Sequence, residues 1–231
     1  MSPPRVVRAS GVEAAAEARG AVVVIDVLRA FTTAAYAFGA GARAIVLVAT
    51  HAEAFALRDA RFPDALLVGE IGGRPIPGFD HGNSPEAVAR LDLSGRTLIL
   101  RSSSGTQGVV RARAAASVWL GSLVVATATA RALAAERAVT LLAMGSTGGP
   151  DGPEDEACAE LLERLLAGRE PDAAAVTAAV RASPAARKAF DPSVDWITPG
   201  DVEHALAIDR FDFAMRVDRR DGLLVARPVR S

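Results

Sequence analysis

The chain has 231 residues, half of them hydrophobic, with 26 basic side chains against 27 acidic ones. That is enough apolar material for a sizeable core, and at a net charge of −1 it argues against both a disordered chain and a phosphate-neutralising nucleic-acid binder. One Cys excludes an internal disulfide, and the lack of an 18-residue uncharged apolar run predicts no membrane span.

Taken in chain order, the opening Met1-Ser-Pro-Pro-Arg lacks the apolar stretch of a signal peptide, so a cytoplasmic protein is expected. Apolar runs at 22–25, 44–48, 65–68, 97–100, 117–120 and 139–144 predict strands. They are continuous rather than alternating, which suits strands buried on both faces. Between them, helices are predicted over 31–40, 52–60, 85–91, 105–114, 124–136 and 154–167. Ser84 before Pro85 is a good cap followed by a good first helical residue. Beyond 167 the pattern gives a helix at 172–182, a loop at 191–200, a short helix at 201–208 and a hairpin from 214–217 and 223–227. The alternation of strands and helices implies an α/β fold, three-layer α/β/α, with a mainly parallel sheet. The expectation is one domain over 1–231, with two similar internal halves at about 1–92 and 93–231 as the alternative.

Three strand–loop–helix units echo one another. The first runs into Asp26, Arg29, Thr32 and Thr33, the second into Ser102-Ser103-Ser104-Gly105-Thr106, and the third into 145–149 ahead of an acidic helix start. In a parallel sheet those loops gather outside the carboxyl ends of the strands, where ligands bind. A fourth loop, 69–85, carries five Gly and three Pro and is too long for a plain connector.

Each residue in these loops has two readings. Asp26 at a strand mouth could ligate Mg²⁺ or attack phosphorus, or could cap a helix and pair with Arg29. Leu28 stands where a haloacid-dehalogenase-like phosphatase needs a second Asp, which disfavours that family. Arg29 could fork onto an anion beside helix N–H groups, while Thr32 and Thr33 could simply cap. Glu70 is the best second carboxylate for a metal; Asp80, Asn83 and Ser84 add oxygens or merely turn the chain. Ser103, Ser104, Gly105 and Thr106 resemble a phosphate nest or a Ser-rich cap. Asp155 opens a helix, where an acid is favoured by the dipole. Cys158 and Arg164 have the spacing of cysteine phosphatases, but the helical Ala-Glu-Leu-Leu-Glu between them rules out a phosphate cradle. Cys158 should instead pack as a small apolar residue near the site, with nearby acids raising its pKa. His51, His81 and His204 suit structural or loop roles better than catalysis. Basic residues are Arg throughout except Lys188, which sits in no Gly-Lys-Ser/Thr context, so a P-loop is excluded.

These pieces, in this order, resemble the 2-phosphosulfolactate phosphatases of coenzyme M biosynthesis. The residues that carry the likeness are Val24–Ala30, Gly69-Glu70, Gly78-Phe79-Asp80, Gly82-Asn83-Ser84-Pro85, Ser103-x-Gly105-Thr106, Gly121-Ser122 and Glu154-Asp155 with Cys158, with Asp201-Val202 and Asp209 in the tail. The chain departs from the family's pattern at Ser104, Phe31 and His81. The resemblance implies a Mg²⁺-dependent phosphoric monoester hydrolase acting on a small anionic phosphorylated substrate. Asp26, Glu70, Asp80 and Asp155 are then the candidate metal ligands. Asp26, Arg29 and Glu70 are the candidate catalytic residues. Thr32, Thr33, Asn83, Ser84, Ser103, Ser104, Gly105 and Thr106 would contact substrate or phosphate. A phosphatase for another small 2-phospho acid, and a binding protein that holds such a metabolite without turnover, stay open. The Ala-rich helices and terminal hairpin could support a homodimer.

Overall fold

A computed structural model describes residues 3–145 and 152–230. Its strands are β1 (Arg5–Ser10), β2 (Ala21–Ile25), β3 (Ala44–Leu47), β4 (Leu66–Ile71), β5 (Arg74–Pro75), β6 (Thr97–Arg101), β7 (Ser117–Gly121), β8 (Ala138–Ala143), β9 (Ala214–Arg220) and β10 (Leu223–Val229). The helices are α1 (Gly11–Ala14), α2 (Ala30–Gly39), α3 (His51–Arg61), α4 (Pro85–Val88), α5 (Gly105–Arg111), α6 (Ala126–Leu133), α7 (Pro153–Leu166), α8 (Ala173–Ala182), α9 (Pro184–Lys188) and α10 (Pro199–Ala205). All six strands expected from apolar runs are present. The sequence pattern missed β1, an edge strand whose side chains are mostly exposed, the two-residue β5 inside the long loop, and the short helices α1 and α9.

One sheet holds all ten strands, in the order β1-β8-β2-β7-β9-β10-β3-β6-β4-β5. The fold is therefore mixed α/β with a mainly parallel sheet. The block β1-β8-β2-β7 and the block β3-β6-β4 are each parallel internally. Between them lies the β9–β10 hairpin, antiparallel to β7 on one side and β3 on the other. The boundary near residue 92 does not divide the sheet, since β2 lies beside β7 and β8, and β6 beside β3 and β4.

Alternation along each strand feeds two layers of helices. Val22 and Val24 face one core with α2 and α5, whereas Val23 and Ile25 face another with α6, α7 and α8. Val46, Leu67 and Ile99 turn toward α3. α2 is buried from Ala30 through Phe38, as its almost wholly apolar sequence requires. β2 and β6 are five steps apart in the sheet order, about 24 Å in a flat sheet. Yet the loops that follow them touch, so the sheet curls around α2 and α5 and brings its distant rims together. A fourth small core of Ala186, Ala189, Ile197 and Val202 gathers Leu28 and Trp196, and fastens 184–206 over that rim.

Candidate functional site

Asp26 directly follows β2 and is 6 % exposed. Its Oδ1 accepts the Ala30 N–H at 2.9 Å and its Oδ2 accepts the Gly105 N–H at 2.9 Å. One carboxylate thus links the starts of α2 and α5. Only glycine permits this approach, because a Cβ on residue 105 would lie 2.6 Å from Asp26 Oδ2. Burial pushes the Asp26 carboxyl up to about 6, the Glu70 charge adds to it, and the two N–H donors oppose it. Asp155, on the first turn of α7, accepts the Val27 N–H at 2.7 Å and the Gly145 N–H at 2.9 Å. Burial first, then the Asp26 charge, hold Asp155 well above the usual carboxylate range. The same burial, with Asp155 next in importance, pushes the Cys158 thiol up, and Cys158 packs in the core behind α7 as expected.

Glu70 lies near the end of β4. It accepts the Ser103 N–H, the Gly73 N–H at 2.6 Å and the Ser103 hydroxyl at 3.0 Å. Arg101 reinforces the joint by donating to the Glu70 carbonyl and to Ser103 Oγ. Asp26 and Glu70, from opposite blocks of the sheet, line one pocket of about 220 Å³ together with Arg29, Asn83, Ser104 and Lys188.

The opposite wall is built by the 184–206 segment. Arg29, 5 % exposed, donates from Nη1 to the Trp196 carbonyl and to Asp201 Oδ2 at 3.2 Å, and from Nη2 to the Gly73 carbonyl at 2.8 Å. Its guanidinium lies 5.4 Å from the centre of the Trp196 ring, and the Lys188 ammonium lies 5.7 Å from the same ring. Asp201 is wholly buried and also accepts from Ser84 Oγ and from the Glu86 and Thr198 N–H groups. Burial lowers the Arg29 pKa and the Asp201 charge opposes that. The guanidinium stays charged in any case.

Several expected contacts do not face the pocket. Asp80 accepts the Leu67 N–H at 2.7 Å and pairs with Arg58 at 3.4 Å, so it braces β4 from outside. Thr32 Oγ1 donates to the Val27 carbonyl and shares a 2.7 Å bond with Ser122. Thr33 is buried in α2 and its hydroxyl has no partner among the described residues. Thr106 and Ser102 cap one another: Thr106 Oγ1 donates to the Ser102 carbonyl and accepts its N–H, and Ser102 Oγ accepts the Thr106 N–H, all at 2.9 Å. Ser84 caps α4 and holds Asp201, and Ser103 is engaged by Glu70. The supposed nest is thus largely a set of loop joints, and Ser104 is the member that lines the pocket. The 145–149 loop falls outside the described residues except for Gly145. Lys188, Trp196 and Asp201 were not singled out as site residues. The signals available were a single Lys among 25 Arg and a Trp within the 191–200 loop.

Among the described residues no three His, Cys, Asp or Glu side chains converge enough to cage a metal ion by themselves. The pocket nevertheless suits a hard cation. Asn83 lines the pocket and is 3 % exposed, and its Oδ1 is buried without a hydrogen-bond partner among the described residues. Asp26 and Glu70 present oxygens whose mutual repulsion a cation would relieve. Mg²⁺ commonly takes one or two carboxylates and completes its shell with water and substrate oxygens. The donor set therefore fits.

Fold and site together define a mixed α/β protein with an acid-floored, cation-walled pocket at the carboxyl rim of a curled sheet. The sequence pattern of the family described as 2-phosphosulpholactate phosphatase matches residues 7–195. Over 205 residues, covering 87 % of each chain, it is 34 % identical to a Bacillus subtilis protein named "Probable 2-phosphosulfolactate phosphatase". Proteins of the same name from Carboxydothermus hydrogenoformans and Deinococcus radiodurans are 43 % and 42 % identical, over 64 % and 62 % of this chain and 60 % of each of theirs. The chain belongs to the 2-phosphosulpholactate phosphatase family.

Proposed function

We propose that this chain is a phosphoric monoester hydrolase that converts 2-phospho-3-sulfolactate and water to 3-sulfolactate and inorganic phosphate, with Mg²⁺ as its cofactor. The observation that carries the reading is the meeting of Asp26 and Glu70, from opposite blocks of the sheet, in one small pocket walled by Arg29 and Lys188. Family membership supplies the reaction; the pocket supplies groups suited to it.

Asp26, Glu70 and the orphaned Asn83 Oδ1 would hold the cation. When bound, Mg²⁺ neutralises charge on the phosphoryl oxygens and lets a dianionic ester approach two acids. The remaining work falls to positioning. Asp26 is fixed by two backbone N–H groups, so its free lone pairs point in a set direction. Arg29 is fixed by Asp201 and Trp196 and lines the pocket, so its charge would meet the phosphoryl oxygens. Ser104 borders the same space. Phosphoryl transfer is accelerated mainly by such preorganised charge rather than by covalent chemistry from the protein.

Release of inorganic phosphate from 2-phosphosulfolactate, with and without EDTA and with Mg²⁺ restored, tests the proposal. Release that needs the cation is the expected result. No release in either condition removes the hydrolase reading, and equal release in EDTA removes Mg²⁺. A panel of phosphorylated hydroxy acids separates the named substrate from its neighbours: higher kcat/KM on another member reassigns it.

A further inference from the structure

Among the described residues, Arg29 and Lys188 are the two cations that line the pocket, and both rest against Trp196. They are not equivalent. Arg29 is 5 % exposed and its charge is met at 3.2 Å by the fully buried Asp201. Lys188 stands exposed on the last residue of α9, and no carboxylate pairs with it among the described residues. Glu154 feels its charge without reaching it as an ion pair. So the pocket has one cation already neutralised by the protein and one that is not.

The proposed substrate has three anionic groups: a phosphoryl and a carboxylate on C2, and a sulfonate one methylene further out. The acids on the floor leave room for the phosphoryl only where a cation shields it. The other negative groups are repelled from that floor and must point toward the opposite wall. There, Lys188 is the uncompensated charge. Its three N–H donors rotate freely on a flexible stem, which suits the threefold oxygen face of a sulfonate better than a planar guanidinium fork does. The flat Trp196 ring limits where the ammonium can go. Resting on the proposed phosphatase reading, we propose that Lys188, placed against Trp196 at the pocket mouth, is the specificity-determining residue that binds the sulfonate of the substrate.

The test compares two esters in wild type and in three variants: Lys188→Met, Lys188→Arg, and Arg187→Met, which removes the same charge one residue away. Lys188→Met should lower kcat/KM on 2-phosphosulfolactate by about 10–100-fold, chiefly through KM. On 2-phospholactate, which lacks the sulfonate, its loss should be at least about tenfold smaller. Lys188→Arg should restore part of the difference. Equal losses on both esters, or the same loss from Arg187→Met, would overturn the proposal. Calorimetric binding of 3-sulfolactate keeps the test independent of turnover. Binding by wild type that is lost in Lys188→Met and kept in Arg187→Met supports the assignment even if wild type releases no phosphate, in which case only the hydrolase reading fails. Binding that survives Lys188→Met unchanged, or that is absent in wild type, sinks the assignment.

Discussion

The floor and the cover of the pocket are held by opposite means. On the floor, Asp26 and Glu70 are carboxyls whose contacts are mostly backbone N–H groups of converging loops, and Asp155 braces the Asp26 loop from behind through the Val27 and Gly145 N–H groups. In the cover, a cation from the floor loop, Arg29, is gripped by the Asp201 carboxylate, a Trp ring and two carbonyls. Backbone joints fix the direction of each acid without cancelling its charge by a counter-ion. Side-chain joints cancel charge and fix the position of a whole segment. The difference teaches which groups remain available for chemistry: the floor offers carboxyl oxygens to a cation, while among the described pocket-lining residues Lys188 is the cation that no carboxylate pairs with.

The contrast can be broken most severely at Asp26. Asp26→Asn should lower turnover by about 10⁴-fold, equivalent to roughly 5 kcal/mol, with the circular dichroism spectrum unchanged. Near-normal turnover would show that the floor does no chemistry. Next in size, Asp201→Asn leaves a buried guanidinium without its counter-charge and should cost about 3–5 kcal/mol in chemical denaturation. A cost near that of a surface ion pair, under about 1 kcal/mol, would mean that the cover is not held by this pair.

A third effect concerns pH. The Asp26 pKa is raised from 3.8 in the unfolded chain to about 6 in the fold. Below about pH 4 both states are protonated and burial carries no penalty. As pH rises toward 6 the unfolded chain ionises first, so folding loses stability, and above 6 the loss is complete at roughly 3 kcal/mol. In metal-free protein, the stability of wild type relative to Asp26→Asn should therefore fall between pH 4 and pH 7. A difference that ignores pH would contradict a buried, charged Asp26. Mg²⁺ should raise the wild-type Tm more at pH 8 than at pH 5 if it binds this carboxylate. The smallest effect is expected at Gly105. Gly105→Ala places a methyl 2.6 Å from Asp26 Oδ2 and should lower kcat about tenfold by tilting the carboxylate. An unchanged kcat would show that the Asp26 direction does not matter.

The same contrast explains what could be seen in the sequence. Floor residues follow apolar strand runs directly, so Asp26 and Glu70 were legible as acids at strand mouths, and the strands themselves were legible as continuous Val-, Ile- and Leu-rich segments. Ser84 was legible as a cap before Pro85, but whether Ser84 or Thr106 bonds its own loop or faces a ligand was not, because both uses have the same local sequence. Asp80 lies in a loop of the right composition, yet which side of β4 it takes depends on Arg58, 22 positions away. The cover was not legible: Arg29 meets Asp201 across 172 positions, and no periodicity spans that distance. Nor did any local pattern place the expected terminal hairpin at the centre of the sheet.

That central hairpin governs assembly. Its two strands follow every other strand in the chain, yet they bridge the two parallel blocks. A nascent chain emerging in order can form each block early, but neither has its neighbour, and β7 and β3 present bare ladder edges until residues 214–229 arrive. The pocket takes one acid from each block, so the hairpin that bridges the blocks holds its two halves in register, and without it both bare edges are open to mispairing with other molecules.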